Sequence, residues 1–214
     1  MVSLRHKLLV FILPLCLTPL ICISFFSYYQ AKQRITQDRI VLYLEQIAVN
    51  IADNIQLTLL EKQEETLAMG LHSEFRGFLS GSSSKTPQQL IDQLLIVHEV
   101  YDLLVIFDVN GTLLLTNSIN RNRVDESLEP LPRDFLEQIK GQDLKQYTQD
   151  SSWLQEVREG GLGYVGWHSS ELIRMLYSYE EDDVSRQYAI GFAAPVLDDR
   201  GVVLGGILAL MNWQ

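Results

Sequence analysis

The sequence predicts an α+β fold: a long N-terminal transmembrane and stalk helix, then an antiparallel sheet of about five strands. Three observations carry this prediction. Leu8 to Ala31 holds no charged residue, and helical spacing of apolar residues continues well past it. Asn110-Gly111 then separates two short apolar runs, the strongest short hairpin signal in the chain. Finally, Gln187 to Val196 and Gly201 to Asn212 are apolar runs joined by Asp198-Asp-Arg-Gly201.

Charge and cysteine usage bound the class. The 214 residues carry 17 Lys and Arg against 27 Asp and Glu, a net of −10. Arg5 and Lys7 precede the apolar run, so the body beyond it is more acidic still. Such a body lacks the basic face that nucleic acid requires, and it would be repelled by anionic lipid. Both cysteines, Cys16 and Cys22, lie in the apolar run, so the body can form neither a disulfide nor a cysteine-ligated zinc site.

The first element is read as a head at residues 1–7 and a membrane helix at 8–29. At ~1.5 Å per residue, about 20 residues cross a ~30 Å hydrocarbon core. Arg5, His6 and Lys7 resemble the head of a signal peptide, but the run is too long and ends in bulky Phe25, Phe26, Tyr28 and Tyr29, which fit an interfacial aromatic belt. An uncleaved anchor is therefore expected. Lys32, Arg34 and Arg39 lie beyond it, so positive charge alone leaves the orientation open.

Residues 30–80 read as a stalk helix. Ile40, Leu44, Ile47, Ile51 and Ile55 fall on one face, with Gln37, Glu45, Asn50, Asp53 and Asn54 opposite. The stripe either lies on its own domain or pairs with a second copy, and a homodimer through this helix is the expected assembly.

The domain at 86–214 follows a Gly81-Ser-Ser-Ser-Lys85 loop. Thr86-Pro87 opens a helix with Thr as N-cap, and Leu90, Leu94, Leu95 and Val97 or His98 supply its buried face. Residues 101–109 and 112–117 form the hairpin. Residues 118–133 are polar with two prolines and read as loop. Short helices follow at 132–140 and 153–159. Gly163-Tyr-Val-Gly-Trp167 reads as irregular. Residues 173–179, 187–196 and 201–212 complete the sheet as three strands.

Several motifs together resemble a Cache domain, the PAS-like extracytoplasmic sensor module of bacterial receptors. They are Val105-Ile-Phe-Asp-Val-Asn-Gly-Thr-Leu113, Ser152-Trp-Leu-Gln-Glu-Val157 and Ala194-Pro-Val-Leu-Asp-Asp-Arg-Gly-Val-Val-Leu-Gly-Gly-Ile207. The resemblance covers about residues 30–214 and is nearest to the membrane-distal half of a double module. It implies a periplasmic or extracellular domain on a single-pass bacterial membrane protein. Such a domain binds a small solute and shifts the helix that enters the membrane. It also implies a pocket in which Trp153 matches the family's Trp and Tyr164 its Tyr. Ser151 stands where the family's amino-acid-binding Arg would be, and Leu210 where its Asp would be, so the ligand class stays open.

Ligand pockets are mostly apolar and aromatic with a few polar anchors. The candidate ligand-binding residues are Trp153, Tyr164, Trp167, His168, Arg174, Tyr177 and Tyr179. Read from the residues alone, the aromatics serve equally as core, and Arg174 must meet solvent or an anion. His168 and Glu171 lack a third metal ligand at a recognisable spacing, so no metal or other cofactor is expected. There is no phosphate loop, nucleotide fingerprint or nucleophile elbow, and no enzyme is expected. The alternative function is a membrane-anchored interaction or structural protein with no metabolite ligand.

Overall fold

The structure, a computed structural model, describes residues 4–83, 85–121, 127–148, 151–177 and 188–212; the side chains of 4–16, 33–38, 121, 167, 169 and 212 lie outside the described set. The chain divides into two compact units, Met1–Thr58 and Leu59–Gln214.

The described residues of the first unit lie within helix α1, Leu4–Gly70. The expected stripe is present here with Ile40, Leu44, Ile51 and Ile55 exposed. Part of the expected span at 8–29 has side chains outside the described set. Among the described residues no helix is long and apolar enough to cross a membrane.

The second unit holds a five-stranded antiparallel sheet in the order β2-β1-β7-β6-β5. Its strands are β1 (Leu103–Asp108), β2 (Leu113–Thr116), β5 (Gly163–Ser169), β6 (Tyr188–Leu197) and β7 (Val203–Asn212). A separate two-stranded ribbon pairs β3 (Ile119–Arg121) with β4 (Leu128–Pro130). The six described helices are α1, α2 (Ser73–Leu79), α3 (Gln88–Val97), α4 (Arg133–Ile139), α5 (Ser152–Arg158) and α6 (Glu171–Tyr177).

The two hairpin turns share one device. Asp108 Oδ1 accepts from the backbone N–H of Asn110 and of Thr112, both at 2.8 Å. Asp198 Oδ1 does the same for Arg200 and Val202, again at 2.8 Å. Each turn then needs a left-handed residue, which Gly111 (φ 91°) and Gly201 (φ 80°) supply without a Cβ penalty. The Asp198 carboxyl is held below its usual range, first by its hydrogen bond from Val202.

Strand alternation sorts the core into two faces. On the first face Leu103, Val105 and Phe107 of β1 join Leu208 and Leu210 of β7, covered by Phe135 and Ile139 of α4, Trp153 of α5, and Leu172, Ile173 and Leu176 of α6. On the second face Leu104, Ile106, Ile190, Phe192, Ile207 and Ala209 meet Met69 of α1, Phe75 of α2, and Ile91 and Leu95 of α3.

Four expectations need correction. Residues 173–177 are not a strand: they belong to α6, a run of good helix formers whose Leu172, Ile173 and Leu176 share one face. The strand is instead β5, in the stretch read as irregular; its pairing with β6 outweighs the weak propensity of its two glycines. The 118–133 loop contains β3 and β4. Helix α3 buries Ile91 and Leu95, while Val97 is exposed, and its N-cap position is Pro87, with no side-chain capping bond, instead of Thr86.

Candidate functional site

The predicted site residues distribute over both faces. Trp153, 1% exposed, sits in the first-face core. Its indole meets Phe107 edge to face at 5.5 Å between centroids, and its Nε1 donates to Thr148 Oγ1 at 3.3 Å. Gly163 admits this helix to the sheet, since a Cβ there would lie 2.6 Å from Trp153 O. Tyr164 lies on the other face. It is 47% exposed and tilts against Phe192 at 5.6 Å. The structure therefore does not bring Trp153 and Tyr164 together.

His168 follows a bulge in β5: Val165 faces Gly191, and three residues on His168 faces Ala189, only two positions along β6. The bulge returns His168 to the first face, where it is 5% exposed. Its Nδ1 lies 2.8 Å from Gly166 O. A carbonyl can only accept, so Nδ1 is the donor in this contact. Nε2 is buried with no hydrogen-bond partner among the described residues.

Helix α6 begins where β5 ends. The Ser170 hydroxyl accepts from Ile173 N–H at 3.4 Å, in N-cap geometry. Seven helical residues span ~10 Å, most of the ~14 Å of three strand spacings. The helix accordingly reaches from β5 towards β1, where the Tyr177 hydroxyl donates to Asp102 Oδ1. Asp102 is 3% exposed. Arg174 meets an anion on its own helix: its Nε donates to Glu171 Oε2 at 2.7 Å, and Nη2 pairs with Oε1. The hydrogen bond from Arg174 is the main cause holding the Glu171 carboxyl below its usual range. Burial, and secondarily the charge of Glu171, raises the Tyr147 hydroxyl.

The structure thus gathers Trp153, His168, Arg174 and Tyr177 on elements packed against the first face. The Trp167 side chain and all of Tyr179 lie outside the described residues. The small column Ala189, Gly191 and Ala193 on β6 is covered by leucines, for a Cβ at Gly191 would stand 2.6 Å from Leu210 Cδ2. Asp102 was not singled out in the sequence, although a charged residue heading an apolar strand is a usable signal.

The second face carries a polar group of its own. The Tyr101 hydroxyl lies 3.1 Å from Lys62 O, 3.2 Å from Glu65 Oε2 and 3.5 Å from Thr66 Oγ1. His98 Nδ1 is 3.3 Å from Glu65 Oε2, and Lys62 Nζ donates to Glu65 Oε1 at 2.8 Å. Burial is the largest cause raising the Tyr101 hydroxyl well above its ordinary range. A cleft of about 170 Å³ opens at the outer edge of β2. Among the described residues no group of three or more His, Cys, Asp or Glu side chains could hold a metal ion.

No family model and no curated protein matches the chain. Solved structures do match, and those named here are sensory or ligand-binding domains of bacterial receptors and kinases. A domain of a sensory box/GGDEF family protein from Vibrio parahaemolyticus is 12% identical, with a TM-score of 0.47, over 80% of this chain and 57% of that one. The sensory domain of the Campylobacter jejuni chemoreceptor Tlp3, with isoleucine bound, is 9% identical at TM-score 0.45, over 75% and 54%. The sensor domain of the Vibrio cholerae histidine kinase DctB is 13% identical at TM-score 0.39, over 86% and 57%. This chain therefore spans between half and three fifths of the length of these structures.

Proposed function

We propose that the chain is the sensory input part of a bacterial signal-transduction receptor. In this reading residues 1–7 are a cytoplasmic head, 8–29 the membrane span, 30–80 the stalk and 86–214 a periplasmic Cache-type domain. The sheet domain binds a small solute, and occupancy biases the position of α1. The exposed Ile40, Leu44, Ile51 and Ile55 stripe is the surface through which two copies pair.

The observation that carries this reading is the joint between the sheet and the end of α1. Thr66 and Met69 are buried in the second face. Tyr101, at the head of β1, bonds to the backbone of Lys62. A Cβ at Gly70 would lie 2.8 Å from Pro195 O, so helix and β6 are in direct backbone contact. A sheet that shifts by even a fraction of an ångström must carry these turns with it, because packed cores are stiff. The first-face residues Trp153, His168, Arg174 and Tyr177 are the proposed ligand contacts, and the buried Nε2 of His168, which has no partner among the described residues, is a polar atom that a ligand would satisfy.

The close packing of Trp153, Leu208 and Leu210 favours a second reading, an anchored interaction protein that binds no metabolite. Thermal unfolding of the full chain across a metabolite library separates the two. The sensor reading requires at least one stabilising solute. A stable fusion of alkaline phosphatase after Gln214 is expected to be active, and an inactive one would reverse the topology.

A further inference from the structure

We infer that the cleft at the outer edge of β2 is a binding site for a short aliphatic monocarboxylate of about four to six carbons. This rests on the small-solute reading and goes beyond it, by adding at the sheet's edge a second site apart from the first-face contacts.

The cleft exists because an edge strand is closed at two points and left open between them. At one point Leu113 N–H donates to Gln142 O at 2.9 Å and Gly141 N–H donates to Leu113 O at 2.8 Å. At the other, Gln88 Nε2 donates to Thr116 O at 2.9 Å. Between them β2 carries a bulge opposite Ile106 and Phe107, and no further strand of the sheet pairs with its outer edge. The resulting space is about 170 Å³. A cavity of ~150 Å³ lined by apolar side chains takes benzene, so the volume suits a ligand of about six to eight heavy atoms.

The lining decides the chemistry. Leu113, Leu114, Leu115 and Leu136 line the cleft, Leu113 and Leu136 from the first-face side of the edge and Leu115 from the second. At the α3 end the polar groups are already committed: Ser118 N–H and Oγ donate to the two oxygens of Asp92, each at 2.6 Å, and Gln88 Nε2 lies 3.3 Å from Asp92 Oδ1. A ligand end placed there meets Ser118 and Gln88, whose donors are already spent on Asp92 behind them. At the α4 end stands Lys140, exposed, and with no ion-pair partner among the described residues. One end therefore offers an ammonium without an ion-pair partner among the described residues, and the other offers no spare donor. That gradient orients a carboxylate towards Lys140 and its hydrocarbon tail along the leucines. An amine would be oriented the other way and would find Asp92 already saturated with donors. The cleft also has a route to α1: Gln88 and Asp92 are on α3, whose Ile91 and Leu95 pack in the same second-face cluster as Met69.

The test uses the full chain in detergent with leucine methyl groups labelled, titrated with sodium isovalerate and with isovaleramide as its uncharged match. Isovalerate is expected to shift the methyls of Leu113, Leu115 and Leu136 saturably, and isovaleramide to bind more weakly. Lys140→Gln should weaken isovalerate about threefold to fivefold, the scale of one exposed ion pair, and bring it level with the amide. Leu136→Trp fills the cleft and should abolish the shifts while the remaining leucine spectrum is kept; if that variant fails to fold, the lysine variant still decides. The inference is overturned if isovalerate leaves these methyls unmoved, or if its binding is indifferent to Lys140→Gln. Isovalerate that moves the methyls of Leu172 and Leu176 instead would overturn this site and leave the sensor reading standing.

Discussion

Helices α4, α5 and α6 cover one face of the sheet, while the end of α1 with α2 and α3 covers the other. The covers differ in origin. The first comes from the stretch between the two hairpins of the sheet, which also carries the edge strand β5. The second is wholly N-terminal to the sheet and includes the helix proposed to lead to the membrane. They also differ in fastening. Around the first face the polar fastenings include Tyr177 to Asp102, Trp153 to Thr148, the Ser170 cap and the Glu171–Arg174 pair. On the second, Tyr101 and His98 converge on Glu65 of α1. The lesson is that a ligand on the first face must act through the sheet, whereas one at the β2 edge is a single helix away from α1.

Substitutions can break each cover separately. The largest effect is expected from Trp153→Ala, at about 3–5 kcal/mol of lost stability in urea unfolding, because an interior indole leaves a cavity under the first face. A loss below about 1 kcal/mol would remove Trp153 from the core. Gly70→Val attacks the second cover. The added Cβ meets a backbone oxygen that has little room to give, and about 1–3 kcal/mol should be lost. Tyr177→Phe takes a donor from buried Asp102 and should cost about 1–3 kcal/mol, loosening α6 but not α1 in hydrogen exchange.

A smaller effect is expected at Tyr101. Tyr101→Phe should cost about 1 kcal/mol at neutral pH. Its hydroxyl is raised in the folded state, so the stability it contributes is full below about pH 10 and is lost as pH rises beyond that value. The phenylalanine variant should lose this alkaline limb, and an unchanged alkaline profile would assign it to another tyrosine. Arg174→Ala is the mildest, at most about 0.5 kcal/mol, since the pair is solvent-screened. Glu171 is lowered in the folded state, so this small contribution is present above the unfolded carboxyl range and fades as pH falls through the folded one.

Much of the sheet was legible in the sequence because its turns carry local chemistry. Asp108 and Asp198, each followed by glycine three residues on, mark both hairpins without reference to the rest of the chain. Strand β5 was not legible, because Gly163 and Gly166 argue against a strand, and Gly163 is there for Trp153, a contact made only in three dimensions. Helix α6 was legible in composition, but alternation of Met175, Tyr177 and Tyr179 competes with the helical spacing of Leu172, Ile173 and Leu176. Of the candidate site, Trp153, His168, Arg174 and Tyr177 share a face, while Tyr164 does not. No sequence period spans the bulge that returns His168 to the first face.

The central claim, a solute-sensing domain coupled to α1, is tested most directly by thermal unfolding of the full chain across a library of small metabolites, followed by hydrogen exchange with any hit. The account predicts a solute that at a hundredfold excess over Kd stabilises the domain by about 2.7 kcal/mol and protects residues 62–70 along with its own contacts. A library without a stabilising solute, or a hit whose protection stops short of residues 62–70, would contradict it.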